Sequence, residues 1–143
     1  MKIRLILLGK MRREEMRVLF QDYLGRIRRY AEVEVSELRD AGPAALRKLK
    51  IEPGSAVILL DAGGKQYDSR EFAVWLGERR DRGMRELVFL CGDAGGFPVE
   101  LRARAREKLS LSTMTMPHEF ARVILAEQIY RGFAILAGHP YPK

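Results

Sequence analysis

The sequence predicts an α/β domain in which a parallel β-sheet carries helices on both faces. Short apolar runs typical of buried strands alternate along the chain with longer segments whose apolar residues recur at helical spacing. Strands separated by helices pair in parallel, and the helices then cover the two faces of the sheet. The chain has 143 residues, of which 47% are hydrophobic, and this predicts one globular domain spanning residues 1–143.

Five strands are predicted from their residue patterns. The segment "IRLILL" is an apolar run typical of a buried strand, "VEVSEL" alternates at period two, and "AVILLD" and "ELVFLCG" are further apolar runs. A glycine pair, Gly63 and Gly64, is expected to end the third strand. The five predicted strands cover Ile3–Leu8, Val33–Leu38, Ala56–Asp61, Glu86–Gly92 and Leu109–Leu111.

Helices are predicted between the strands and after the last one. Pro43 suits the first turn of a short helix, and Ser69 is expected to cap the helix that contains Phe72, Trp75 and Leu76. The other predicted helices cover residues 12–30, 99–108 and 118–137, and the short one covers residues 43–50.

The last predicted helix is apolar in almost every direction around its axis. A helix of this kind needs more than one apolar neighbour. The sheet of the same chain covers one side, and we expect a second copy of the protein to cover the other, so the sequence predicts a homodimer rather than a monomer. The residues concerned are Val123, Leu125, Ala126, Ile129, Phe133, Ala134, Ile135 and Leu136.

The charge and the cysteine content limit which classes of partner and which cellular compartment are expected. Lys and Arg number 26 against 19 Asp and Glu, a net charge of +7, which favours an anionic partner such as nucleic acid or serves solubility alone. Cys91 is the only cysteine and has no Cys/His cluster around it, so neither an internal disulfide nor a zinc site is expected. The opening "MKIRLILLGK" is too short for a signal peptide or a membrane span. These features predict a cytoplasmic protein that does not bind membranes.

Three loops follow predicted strands where parallel sheets bind ligands, beyond the carboxyl ends of the strands. They are "LDAGGK", "CGDAGG" and "SLSTMTMPH". The glycines of the first two let backbone approach a ligand closely, although turn formation alone also explains them. Neither loop has the Walker pattern or the G-x-G-x-x-G dinucleotide fingerprint.

The third loop has an unusual composition between a strand and a helix. Ser112, Thr113 and Thr115 offer small polar groups, and Met114 and Met116 offer polarizable surface for a flat ring or a sulfur. This combination suits an adenine edge next to a thioether-like group. Alternatively, the hydroxyl groups satisfy buried backbone and His118 caps the following helix.

The stretch "FLCGDAGG…LSLSTMTMPHEFARVILAEQIYRGFAILAGHPYPK" closely resembles the RlmH (YbeA-type) family of SPOUT methyltransferases. The family signature combines a glycine-rich loop, a Ser-x-Ser/Thr-x-Met/Leu-Thr-x-Pro-His segment, an R-V-x-x-x-E-Q-x-Y-R segment and a Pro-Tyr-His tail. The resemblance extends to "LDAGGKQYDSREFA" and to the opening strand, so that it spans nearly the whole chain.

The resemblance implies a parallel sheet with a C-terminal trefoil knot, two chains paired through the knotted region, and S-adenosylmethionine bound by the knot loops. It also implies methylation of N3 of a pseudouridine in 23S ribosomal RNA of the large subunit, in the ribosome. Arg131 and Tyr141 are implied to lie near the transferred methyl group or the base, as the catalytic residues. The implied cofactor-binding residues are Leu60, Gly92, Asp93, Gly96, Ser112, Thr113, Met114, Thr115, Met116 and Pro117.

Two positions differ from the family pattern. The chain has Asp93 in the glycine-rich loop, and Pro142 where the family's final histidine stands. A non-catalytic, ribosome-associated RNA-binding protein that keeps the knot is therefore the alternative to the enzyme. A flavodoxin-type nucleotide-binding domain does not explain "STMTMPH". His118 and His139 are candidates for the general base by residue type alone.

Overall fold

A computed structural model describes residues 1–39, 42–92 and 96–142, and a parallel sheet forms its centre. The strand order is β2-β1-β4-β3-β5, and all four pairings are parallel. The predicted fold class, a parallel sheet with helices on both faces, is thereby confirmed. The strands are β1 (Lys2–Leu8), β2 (Glu32–Leu38), β3 (Ala56–Gln66), β4 (Glu86–Cys91) and β5 (Glu107–Ser110).

Helices connect the strands and cover the sheet. The last helix follows β5 at the C-terminal end of the chain, as predicted. The helices are α1 (Glu14–Ile27), α2 (Pro43–Lys48), α3 (Ser69–Asp81), α4 (Val99–Arg102) and α5 (His118–Leu136).

Successive residues of the central strands supply two separate apolar cores. In β1, Leu5 and Leu7 face one core, whereas Ile6 and Leu8 face the other, as the period-two geometry of a strand requires. The first core holds apolar side chains of α1, α3 and α5, and the second holds residues around α2 and α4. This two-sided burial explains why the central strands read as continuous apolar runs.

Strand β3 is longer than predicted, because it does not end at Gly63 and Gly64. Its pairing with β5 shifts between Leu60 and Lys65, which both align with Leu109, so that residues 61–64 form a bulge. At Gly64 an added Cβ would lie 2.6 Å from the carbonyl carbon and oxygen of Lys108. Glycine therefore permits the close approach of the two strands here instead of ending one of them.

Helix α4 is shorter than predicted and ends at Arg102, not at residue 108. The backbone of Glu107 pairs with Ile58 of β3, and Lys108 pairs with Leu59, so these residues are extended. The Glu107 carboxylate also accepts hydrogen bonds from Trp75 Nε1 at 3.0 Å and from Arg79 Nη2 at 2.7 Å. Sheet pairing thus overrides the helical pattern of this segment.

The start of α3 also differs from the prediction. Asp68, not Ser69, is the N-cap residue, and it forms a reciprocal capping box with Glu71 through two hydrogen bonds of 2.8 Å. Ser69 is the first residue of the helix, and its hydroxyl donates to Gln128 Oε1 at 2.8 Å.

Helix α5 lies between α1 and α3 and packs against the sheet. Close packing on α3 depends on small residues, because an added Cβ at Gly132 would lie 3.2 Å from Leu76. On the other side, the ring of Tyr30 stacks on Phe133 with centroids 5.6 Å apart. Neighbours within the chain therefore cover most of the apolar surface that led us to expect a second copy. Phe120 and Ile124 stay exposed, at 38% and 36%.

Two buried charged side chains fix the start of α5 to the first strand and helix. The Arg122 guanidinium, only 1% exposed, donates to the carbonyl oxygens of Leu8 at 2.6 Å and Gly9 at 3.2 Å. One turn earlier, Glu119 Oε1 accepts from the backbone N–H groups of Arg12 and Arg13 at 3.1 and 3.0 Å. A carboxylate at the N-terminus of α1 also interacts favourably with the positive end of the helix dipole.

Within the described ranges, no helix is long and apolar enough to cross a membrane. Cys91 is buried, and burial raises the pKa of its thiol to about 12, so the thiol stays protonated near neutral pH.

Gly64 and Gly63 offer a matched test of the β3–β5 junction. An added Cβ at Gly63 meets nothing closer than Asp61 Oδ1 at 3.8 Å, whereas at Gly64 it overlaps backbone. We expect Gly64→Ala to lower the free energy of unfolding by about 2–4 kcal/mol and Gly63→Ala to change it by less than about 1 kcal/mol. Urea denaturation followed by circular dichroism measures both. Equal effects would contradict a steric role for Gly64.

Candidate active site

A cavity of about 860 Å³ lies at the carboxyl ends of β3, β4 and β5. The three loops singled out in the sequence converge on it, as parallel strands require of loops that follow neighbouring strands. Most of the residues predicted to bind a cofactor line this cavity: Leu60, Gly92, Gly96, Ser112, Met114, Thr115, Met116 and Pro117.

One predicted cofactor-binding residue is placed differently, and another is not described. Thr113 is exposed and does not line the cavity, although its neighbours on both sides do. Asp93 lies outside the described residues. The remaining predicted residues line the cavity from three separate chain segments.

Serine hydroxyl groups shape the loop that precedes α5. Ser110 Oγ donates to the backbone oxygen of Ser112 at 3.1 Å, and Ser112 Oγ accepts from the backbone N–H of Met114 at 3.0 Å. These bonds hold the backbone in a tight turn, as one alternative from the sequence proposed. His118 does not cap α5, because Pro117 is the N-cap residue and makes no side-chain capping bond. Met114 remains 77% exposed at the cavity.

The glycine loop after β4 contributes bare backbone and an apolar wall. Gly96 has a φ of +70°, a conformation that side-chain-bearing residues rarely adopt. Next to it, Phe97 is buried and lines the cavity, and Val99 lines it while 68% exposed.

The sequence reasoning missed several lining residues. Phe97 and Val99 follow the glycines directly in "GGFPVE", which was the available signal. Arg102 and Lys108 also line the cavity and bring positive charge to it. Lys108 Nζ lies 4.0 Å from Asp61 Oδ2, an exposed pair of little energetic weight. No sequence pattern linked these two cations to the site, because their placement depends on the unexpected end of α4 and start of β5.

Arg131 and Tyr141, the residues predicted to be catalytic, lie together at the other end of α5. The Arg131 guanidinium lies 5.0 Å from the centroid of the Tyr141 ring. Both side chains bond to one carboxylate oxygen of Glu127: Arg131 Nη2 donates at 2.6 Å and the Tyr141 hydroxyl at 2.8 Å. Tyr141 also packs edge-on against Tyr130, with centroids 4.7 Å apart. We call Glu127, Arg131 and Tyr141 the tail cluster.

The tail cluster is distant from the cavity within one chain. His118 lines the cavity and Arg131 follows it by 13 residues on the same helix. At a rise of about 1.5 Å per residue, this separates them by about 20 Å along the axis. The structure therefore brings Arg131 and Tyr141 together but does not bring them to the cavity of their own chain.

Glu127 is the residue of the tail cluster that the sequence reasoning did not single out. It accepts from Gln128 Nε2 at 2.9 Å in addition to its bonds with Arg131 and Tyr141. Gln128 is in turn bonded to Ser69 of α3. The spacing of Glu127 and Arg131, four residues apart on a predicted helix, was the signal that could have found this pair.

Contacts within the tail cluster raise the pKa of two of its members. Burial and the hydrogen bond to Glu127 raise the pKa of the Tyr141 hydroxyl well above its usual value of 10. The hydrogen bonds that the Arg131 guanidinium donates to Glu127 likewise raise the pKa of Arg131. Both groups therefore keep their protons throughout the physiological range, Arg131 as a cation and Tyr141 as a neutral donor.

Taken together, a doubly covered parallel sheet and a glycine-lined pocket at its carboxyl edge define a nucleotide- or cofactor-binding α/β protein. The sequence matches the family described as "Predicted SPOUT methyltransferase" over residues 1–142. It is also 42% identical to the ribosomal RNA large subunit methyltransferase H of Koribacter versatilis, over 99% of this chain and 97% of that protein. The protein of the same name from Geotalea daltonii is 42% identical, with 99% of each chain covered. The chain therefore belongs to the SPOUT methyltransferase family, within the methyltransferase H group.

Solved structures share the fold at low sequence identity. A probable methylase family protein from Haemophilus influenzae superimposes with a TM-score of 0.57 and 10% identity, over 99% of this chain and 70% of that one. A putative methyltransferase from Legionella pneumophila, solved with bound SAM, gives a TM-score of 0.51 and 14% identity, over 90% and 65%. The family implied by the sequence motifs is confirmed, and the SPOUT fold implies the C-terminal trefoil knot, an exception to the rule against knotted chains.

The protonation of Tyr141 gives a direct test of the tail cluster. Its raised pKa in the folded state means that docking of the tail is fully favoured below pH 10 and weakens as the pH rises above that value. We expect the Tyr141 Cζ resonance in NMR spectra of tyrosine-labelled protein to keep its neutral position at pH 11, where an exposed tyrosine is mostly ionised.

Glu127→Gln removes the negative charge and should lower the pKa of Tyr141, whereas Glu71→Gln on α3 should not change it. If Tyr141 ionises near pH 10 in the unmutated protein, the tail does not dock as described.

Proposed function

We propose that the protein transfers a methyl group from S-adenosylmethionine to N3 of a pseudouridine in 23S ribosomal RNA of the large subunit. The observation that carries the proposal is the convergence of three loops on one cavity at the carboxyl edge of the sheet. Family membership supports it, as do the relatives named ribosomal RNA large subunit methyltransferase H.

The residues of the cavity suit S-adenosylmethionine. Gly92 and Gly96 leave room for close backbone approach, and Leu60, Met114 and Met116 supply apolar and polarizable surface for an adenine ring and a sulfonium group. When bound, the cofactor supplies an electrophilic methyl group. The loops would hold the cofactor so that the accepting nitrogen can approach in line with the S–CH₃ bond, and such positioning would supply much of the rate enhancement.

We further propose roles for the tail cluster. The target N3 would give its proton to a general base before or as the N3–CH₃ bond forms and the S–CH₃ bond of the cofactor breaks, which leaves S-adenosylhomocysteine; negative charge then develops on the uracil ring. Arg131 stabilises this charge through its guanidinium, and Tyr141 stacks on the base or bonds to it. Glu127 holds both side chains in place through the bonds described above. His118 at the cavity and His139 beside the tail remain candidates for the general base by type only.

These roles require a second copy of the chain. Because the tail cluster lies about 20 Å from the cavity of its own chain along α5, we propose a homodimer in which the tail of one protomer completes the pocket of the other. Exposed apolar side chains of α1 and α5, including Leu19, Phe120 and Ile124, offer surface for pairing. Ile129 and Phe133, in contrast, are buried in the core of the chain itself.

We propose that this single domain acts in the cytoplasm on ribosomal RNA in the assembled ribosome. The net charge of +7 supports an RNA partner, because cationic surface attracts phosphate regardless of sequence.

Cofactor binding is the first test. Titration calorimetry should detect S-adenosylmethionine or its demethylated product in the micromolar range, about −8 kcal/mol. Gly96→Val should weaken binding at least about tenfold, because a β-branched residue is strained at a φ of +70°. Gly83→Val, at a φ of +79° at the end of α3, is the matched control for strain alone. A folded protein that binds neither ligand would instead favour the non-catalytic RNA-binding alternative.

A mixing experiment tests the shared site. Gly96→Val impairs the pocket, and truncation after Ala137 removes the tail, so each variant alone should lose most methyl transfer to ribosomes from a strain lacking the modification. After mixing and exchange of protomers, half of the dimers carry one intact pocket facing one intact tail. We expect roughly a quarter of the normal single-turnover activity to return. Activity that does not return, with heterodimers present by native mass spectrometry, would contradict a pocket shared between protomers.

A further inference from the structure

We propose that a basic groove at the amino-terminal edge of the sheet, opposite the cofactor cavity, binds the phosphodiester backbone of RNA. The groove is defined by Lys2 of β1, Arg28 and Arg29 after α1, and Arg85 before β4. This inference rests on the proposed function, because it identifies where the RNA substrate contacts the protein away from the target base.

The groove is a concave surface built from several elements. Its central hollow has a volume of about 860 Å³ and lies where α1 ends and where β1, β2 and β4 begin. Four cationic side chains line it, against a single carboxylate from Glu32. Parallel strands that start at one edge bring these distant sequence positions together.

The three arginines of the groove pair with no carboxylate of the described residues, unlike some but not all of the arginines elsewhere in the chain. Arg17, Arg79 and Arg131 each pair with a carboxylate. Across residues 1–39, 42–92 and 96–142, by contrast, no carboxylate lies within 4.0 Å of the guanidinium of Arg28, Arg29 or Arg85. Only Lys2 is paired, with Glu34 at 2.6 Å.

A purely structural role accounts for part of this pattern. Cations after a helix C-terminus interact favourably with its dipole, typically by about 0.3–1 kcal/mol, which would explain Arg28 or Arg29. It does not explain Arg85, which enters the same hollow from the start of β4. Unpaired cations that converge from separate elements repel one another, and an anionic ligand removes that repulsion.

Continuity with the tail identifies the ligand as RNA. Arg29 also lines a second cavity of about 700 Å³, together with Arg26, Tyr130, His139 and Tyr141. Aromatic rings next to cations form the usual surface for single-stranded RNA, because bases stack on the rings while phosphates pair with the cations. An RNA strand that follows the groove therefore reaches the tail cluster, which we propose holds the target base.

The test uses the full-length protein and a short fluorescein-labelled RNA hairpin, with binding followed by fluorescence anisotropy at several salt concentrations. Arg28→Ala/Arg29→Ala removes two cations of the groove. Arg47→Ala/Lys48→Ala is the matched control, because it removes two exposed cations from α2 on the opposite face of the sheet. Thermal melting checks that both variants are folded.

We expect the groove variant to lower the salt slope of binding by about 1.4–1.8, which corresponds to roughly 25- to 60-fold weaker binding at 0.1 M salt. The control should weaken binding by less than about threefold. A variant with Arg85→Ala alone should lose about half of the slope that the double variant loses. The KM for ribosomes in methyl transfer should rise for the groove variants.

Three outcomes would overturn the inference. The groove variant binds RNA as the control variant does; the unmutated protein does not bind the hairpin; or a polyglutamate peptide competes for the groove as strongly as RNA of equal charge. Failure of the proposed function gives a different result, since RNA binding with the expected variant pattern would persist while the unmutated protein methylates no ribosomes.

Discussion

The anchoring of α5 by Arg122 is the interaction on which the rest of the structure depends. Its guanidinium bonds to the carbonyl oxygens of Leu8 and Gly9, at the carboxyl end of the interior strand β1, and is almost completely buried there. Hydrogen bonds to a charged group contribute about 1.5–3 kcal/mol each. With Glu119 bound to the start of α1, this contact fixes where α5 begins. It therefore fixes the loop before α5, which forms one wall of the cavity.

The same anchoring divides the functional groups between two ends of the molecule. Bare glycine backbone, methionine side chains and the serine-shaped turn lie at the carboxyl edge, whereas Arg131, Tyr141 and the basic groove lie towards the amino-terminal edge. The first set of groups suits a cofactor with a flat ring, and the second suits an anionic, base-bearing polymer. The two sets do not meet within one chain, and the homodimer proposed above would bring them together.

The sequence predicted the elements and the cavity well, because both depend on local pattern and on the geometry of parallel sheets. It did not predict features that depend on contacts between distant segments. Residues 103–108 have a helical pattern, but Glu107 and Lys108 pair with β3 instead. Gly64 was expected to end β3, although it permits close packing of two strands. Helix α5 seemed to need a second copy because its neighbours α1 and α3 cannot be inferred from periodicity. Nor could the sequence indicate that Arg131 and Tyr141 lie far from the cavity, because a motif resemblance implies roles for residues but not their positions in the fold.

Helix α5 sets the distance between the two halves of the proposed site within each chain. His118 at its first turn lies in one half of the proposed site, and Arg131 near its end lies in the other, so the spacing of the two halves equals a fixed number of helical residues. One inserted or deleted residue would rotate the tail cluster by about 100° and shift it by about 1.5 Å relative to the cavity. The length of this helix therefore cannot change without a compensating change in the way two copies meet.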